Sequence, residues 1–148
     1  MADPKALLMN AVKDWAKFTA ERDKMKTIAT EVASITRKLV AENLAFLKTQ
    51  NIDAQFENHE AMKILGVPIQ VDPVVEATFP TVKASVTLKC GGANRAIVIN
   101  PNATISAAGP PFPFENFKKG IPETFLNNAA EFVSDAFLNA ARTGGVKE

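Results

Sequence analysis

The chain has 148 residues, a formal net charge of +1 and 47% hydrophobic residues. This is enough apolar material for one domain with a real core, and the near-zero charge argues against a chain that holds a polyanion by a global field. Cys90 is the only cysteine, which excludes an intrachain disulfide and fits a reducing compartment. No apolar run approaches the length of a membrane span, and Met1-Ala2-Asp3-Pro4-Lys5 lacks the basic-then-apolar pattern of a secretory signal. The expectation is a soluble, cytoplasmic protein.

From about Ala6 to Leu47 there is neither proline nor glycine, and most of the residues are good helix formers. Asp3-Pro4 fits a helix start, with Asp3 as the cap and Pro4 at the first position. Leu8, Ala11, Trp15, Phe18, Arg22, Met25, Ile28, Val32, Ile35, Leu39 and Phe46 follow one side at steps of three and four. Two threes in succession rotate the stripe at Met25–Ile28, as a stammer does. The adjoining patch Glu21-Arg22-Asp23-Lys24 is the place for a bend. An unbroken helix over about 3–50 is roughly 60 Å long, against a diameter of about 40 Å for a compact chain of this size. Such a rod overhangs its own domain and asks for a second surface, most simply the same helix of another copy. The predicted dimer seam is Phe18, Met25, Val32, Leu39 and Phe46. The alternative is a helix broken near Arg22 and folded back as a hairpin. Asn51 is a candidate left-handed stop.

Residues 54–108 read as a sheet region. Ile64 to Val71 is β-prone, with Pro68 favouring an edge strand. Val74–Phe79 is strand-like, Pro80 marks a bulge or corner, and Val82, Ala84, Val86, Leu88 and Cys90 alternate with polar residues as a half-buried strand does. Gly91-Gly92-Ala93-Asn94 reads as a hairpin turn into Arg95–Ile99, and Asn100-Pro101-Asn102 turns the chain into a short strand from Thr104 to Ala107. The predicted topology is an antiparallel meander of three or four strands. Over 109–122, four prolines predict an extended or looped segment. Its Phe112, Phe114 and Phe117 either pack down as a lid or form an exposed aromatic surface for a partner. A last helix over 122–143 carries Phe125, Ala129, Phe132, Val133, Ala136, Phe137 and Ala140 on one face and stops at Gly144-Gly145. The whole reads as a single α+β domain, its C-terminal helix packed on the sheet.

Candidate chemistry is sparse. His59, the only histidine, lies between Glu57 and Glu60 without the ligand spacing of a metal site. Cys90 lies on the apolar phase of its strand, and a nucleophilic thiol needs a lowered pKa and a base nearby; Lys89 and Arg95 are its neighbours at the turn. Gly91-Gly92 is followed by a strand, whereas a phosphate cradle needs a helix N-terminus there. No catalytic residue, cofactor or metal is predicted.

The stretch Val86-Thr87-Leu88-Lys89-Cys90-Gly91-Gly92-Ala93-Asn94-Arg95-Ala96-Ile97-Val98-Ile99-Asn100-Pro101 resembles the hairpin of the YbaB/EbfC nucleoid-associated family. Residues from Glu131 to Arg142 resemble that family's C-terminal helix. Residues 54–80 and the Pro/Phe segment have no counterpart there. The resemblance implies a tweezer-like homodimer that binds DNA. Residues 1–50 carry nine Lys/Arg against six Asp/Glu, and the candidate DNA contacts are Lys13, Lys17, Lys24, Lys26, Arg37 and Lys38, with Arg22 beside them. The leading expectation is a non-catalytic homodimer that binds another macromolecule as adaptor, scaffold or chaperone-like module. DNA binding is the second, and a small-ligand pocket lidded by the Pro/Phe loop the third.

Overall fold

The computed structural model describes residues 3–100, 102–106 and 111–142. Pro101, Ala107, Gly109, Pro110, Gly144 and Gly145, which carry parts of the predicted turns and of the last helix stop, lie outside the described residues.

Helix α1 runs unbroken over Pro4–Thr49, about 70 Å at 1.5 Å per residue. The Asp3 side chain accepts a hydrogen bond from the Lys5 N–H at 3.0 Å, satisfying one orphan donor at the helix start. Asn51 closes the other end with φ of 67°, and the Ile52 N–H donates to the Leu47 carbonyl. No break occurs at Glu21–Lys24. These are helix formers in water, and the apolar stripe crosses the patch with Met25 and Ile28 both buried.

Seven strands follow in a meander, each beside the next. They are β1 (Ala54–Gln55), β2 (Met62–Ile64), β3 (Val67–Thr78), β4 (Thr81–Cys90), β5 (Ala93–Ile99), β6 (Thr104–Ser106) and β7 (Phe112–Pro113). The predicted three or four strands are β3 to β6. The additional ones have two or three residues each, too few for alternation to register. Two further helices lie among the described residues: α2 (Phe114–Lys119) and α3 (Glu123–Arg142). Helix α2 corrects the expectation of an extended or looped 109–122. The prolines flank its six residues, and Pro113 sits at the N-cap, where no helical N–H is lost.

One sheet face is apolar. Ile64, Ile69, Val71, Val82, Val86, Leu88, Ile97, Ile99 and Ile105 are buried there in one core with α1 and α3. The alternate residues Gln70, Asp72, Glu76, Lys83 and Lys89 are exposed on the other face, as the period of two requires. Helix α3 is fixed over β5 by Arg95, whose guanidinium donates to Asn128 Oδ1 at 2.9 Å and Asp135 Oδ2 at 2.8 Å and lies 3.4 Å from Glu131 Oε2.

The turns set the register. Leu65 and Gly66 both have positive φ, 52° and 81°, the pattern of a type I′ hairpin turn. The leucine is held there by its N–H donating to the Asp53 carbonyl at 2.8 Å and by packing on the core. Gly91, at the first central position of the β4–β5 turn, has φ of 57°. A Cβ there would lie 2.6 Å from Asn139 Nδ2, so both the backbone conformation and the nearby amide favour glycine. The Phe79–Pro80 peptide is cis and makes the predicted corner between β3 and β4. Pro68 does not mark an edge strand as a whole: β3 is third of seven, but β4 pairs only as far as Ile69, opposite Cys90.

Candidate functional site

Pro4 to Lys17 are all exposed, and Phe18 is the first buried residue of α1. The first four turns of the helix therefore project as an arm. An arm in water would ordinarily be polar all round. This one carries Leu7, Leu8, Met9, Val12 and Trp15, each more than half exposed. Leu8, Ala11 and Trp15 are spaced three and four apart, so they continue the stripe that becomes core from Phe18 onward.

The β3–β4 hairpin extends beside the arm. Strand β5 pairs with β4 only as far as Ala84, and β2 with β3 only as far as Ile69. The hairpin beyond those points is a two-stranded ribbon. Its tip, Phe79, lies 5.9 Å from the Trp15 ring and 5.3 Å from the Phe18 ring, centroid to centroid, and Trp15 and Phe18 are 5.4 Å apart. Such separations suit tilted and edge-on aromatic pairs. The trio fastens the hairpin to the base of the arm, yet Trp15 and Phe79 keep about half their surface in water, at 54% and 48%.

The predicted seam is corrected by these positions. Phe18, Met25, Val32 and Leu39 are buried by the chain's own sheet and α3, because the meander covers the second half of the stripe. Phe46 alone is exposed, at 63%. The predicted partner surface is corrected as well. Phe114 and Phe117 are buried and Phe112 is half-buried. Phe117 meets Phe125 of α3 edge-on at 4.7 Å, with Phe112 stacked behind it at 5.9 Å. The aromatic segment packs down as a lid on the core. Beside it, Lys24, Thr27, Ile28, Ala103, Phe114 and Glu115 border an open surface cleft of about 520 Å³.

Of the candidate DNA contacts, Lys13, Lys17, Lys24, Lys26 and Lys38 are exposed. Arg37 is not free: its Nε and Nη2 donate to the Val71 carbonyl at 3.0 and 2.6 Å, and Asp72 lies 3.8 Å away. Arg22 lies 3.4 Å from Asp23. Lys13, Lys17 and Lys24 share one side of α1, but helical spacing puts Glu31 and Glu42 on that side too.

His59 is exposed. The Glu57 carboxylate beside it is held below its ordinary pKa by the backbone N–H groups of Glu57 and Phe56, helped by Lys48 at 3.5 Å. Cys90 is buried, and burial pushes its thiol pKa up, away from the thiolate that nucleophilic chemistry needs. Arg95, its neighbour at the turn, is engaged by the acids of α3. Among the described residues, no group of three or more His, Cys, Asp or Glu side chains is placed to hold a metal ion, and no helix is long and apolar enough to cross a membrane.

Protein-family models, curated proteins and solved structures were compared with the chain, and none matches it.

Proposed function

We propose that this chain is a non-catalytic homodimeric interaction module in which two copies meet arm to arm. The observation that supports it is the apolar character of the projecting end of α1, where Leu7, Leu8, Met9, Val12 and Trp15 are each more than half exposed. Covering a half-exposed side chain of this kind returns about 1 kcal/mol. Leu8, Val12 and Trp15 share one side of the helix and together give roughly 3 kcal/mol. A two-fold contact uses the same patch twice, and about 6 kcal/mol then falls within the roughly 4–15 kcal/mol lost on association. The charges on the arm are mixed, with Lys5, Lys13 and Lys17 against Asp3 and Asp14, so two arms approach without a block of like charge.

Light scattering over a concentration series tests this reading. The wild-type chain is expected to be a dimer, and Leu8→Asp and Val12→Asp monomers with little change in melting. A monomeric wild type, or a dimer that survives both substitutions, removes the proposal.

A second reading, a DNA-binding dimer, is favoured by the exposed lysines at 13, 17 and 24 and by the resemblance of 86–101 and 131–142 to the YbaB/EbfC family. Binding of this kind weakens steeply with salt, so a mobility-shift titration of duplex DNA at rising salt tests it. No shift at low salt sinks it.

A further inference from the structure

The two-residue turns fix which backbone groups of β3 point outward. Ile64/Val67 and Thr78/Thr81 flank such turns and are the hydrogen-bonded pairs beside them. Alternation from Thr78 then aims the N–H and C=O of Ile69, Val71, Val75 and Ala77, and the C=O of Pro73, away from β4. Ile69 is met there by β2, through Met62, and β2 reaches no further. The rest is an open edge. The Val71 carbonyl is taken by Arg37 and Pro73 has no N–H to offer, two ordinary ways of blunting an edge. Val75 and Ala77 are not blunted, and their outward backbone groups have no partner among the described residues.

Between this edge and α1 lies a groove of about 500 Å³, with Pro73, Val75 and Ala77 on one wall and Arg22, Lys26 and Thr30 on the other. Asp23 also borders it and is paired with Arg22; Lys26 has no ion-pair partner among the described residues. At the far end the ribbon finishes on the half-exposed rings of Phe79 and Trp15.

We infer that this groove takes an extended, carboxylate-bearing peptide segment of a partner protein, which adds as a strand to Val75–Ala77 and sets its acid against Lys26 and Arg22. The free N–H and C=O groups call for extended backbone, the basic wall for an acid on the groove side, and the exposed rings for an apolar residue at the end. A second copy is a poor occupant. The register that pairs Val75 with Ala77 of another copy sets Glu76 opposite its own counterpart, and like charges directly opposite destabilise a strand pair. The arm-to-arm dimer also uses Trp15, and the two are separated by their readouts: the dimer is judged by mass alone, this inference by peptide affinity.

Trp15, the chain's only tryptophan, supplies the signal. The full chain is titrated with acetyl-Val-Thr-Glu-Thr-Phe-amide while its emission is followed. Saturable binding is expected, weakened about tenfold or more by N-methylating the central glutamate amide, which removes the donor facing β3. N-methylation at either threonine, whose amide points outward, is expected to have little effect. Lys26→Glu in the protein should weaken binding by a similar factor. Ala77→Pro should abolish it, removing only an outward N–H as Pro73 already does. If Ala77→Pro does not fold, the N-methylated peptides carry the same test on unchanged protein. No saturable binding, equal affinity for the glutamate-methylated peptide, indifference to Lys26→Glu, or an Ala77→Pro chain that folds but changes its mass in light scattering would each overturn the inference.

Discussion

The two halves of α1 are built alike and situated oppositely. From Phe18 to Leu44 the apolar stripe is core, with Met25, Val32, Val40 and Leu44 fully enclosed by the sheet and α3. From Pro4 to Lys17 a stripe of similar composition lies in water. The periodicity does not change across the boundary; what changes is that the sheet ends. The arm is helical because it extends a helix already nucleated and packed elsewhere. A free segment of about fourteen residues would be marginal on its own. An apolar surface held in helical form and left more than half exposed by its own chain is what an interaction surface requires.

The same substitution in the two halves should break the comparison most sharply. Val32→Asp buries an unpaired charge and is expected to unfold the protein, at about 4 kcal/mol or more. Val12→Asp should leave the melting temperature within a degree or two, since surface changes lie within about 0.5 kcal/mol, while reducing dimer mass. Equal thermal losses in the two would mean that the arm is packed after all. Gly91→Ala comes next, at about 1–3 kcal/mol by chemical denaturation, from the left-handed φ and the clash with Asn139; Asn139→Ala in the same chain should recover the steric part, less the hydrogen bond Asn139 gives the Cys90 carbonyl. Arg95→Ala is expected to loosen α3 from β5, at about 1–2 kcal/mol, without altering the mass, because the arm lies elsewhere. A mass change would tie the two regions together.

The smallest effect concerns Cys90. Its raised pKa keeps the thiol protonated in the folded chain at pH values where the unfolded chain has begun to lose the proton. Its contribution to stability is complete below the unfolded pKa and falls as alkaline pH rises through the folded value. Alkylation near pH 8 should run about a hundredfold slower in native buffer than in denaturant. Comparable rates would place Cys90 outside the core.

The arm was half legible. Helix length against domain size announces an overhang, but the sequence does not say which end overhangs, because Phe18, Met25, Val32 and Leu39 read just as Leu8 and Trp15 do. The Phe112–Phe114–Phe117 segment reads first as a lid and second as a grip, and the edge-on contacts with Phe125 decide for the lid. The β3 edge has a visible signal in Pro73, whereas Pro68 lies where β4 no longer pairs with β3. Leu65 at positive φ gives no turn signal, so β1 and β2 went unseen.

By itself the sequence determined the local structure: α1 from its periodicity and lack of breakers, the β4–β5 hairpin from alternation around Gly91-Gly92, and α3 from its apolar face between Pro122 and the glycines. These follow from interactions a few residues apart. Tertiary structure decided what each apolar face meets. Burial depends on which surface arrives from elsewhere in the chain, so only the folded sheet separates the core half of α1 from the arm and leaves Val75 and Ala77 on an open edge.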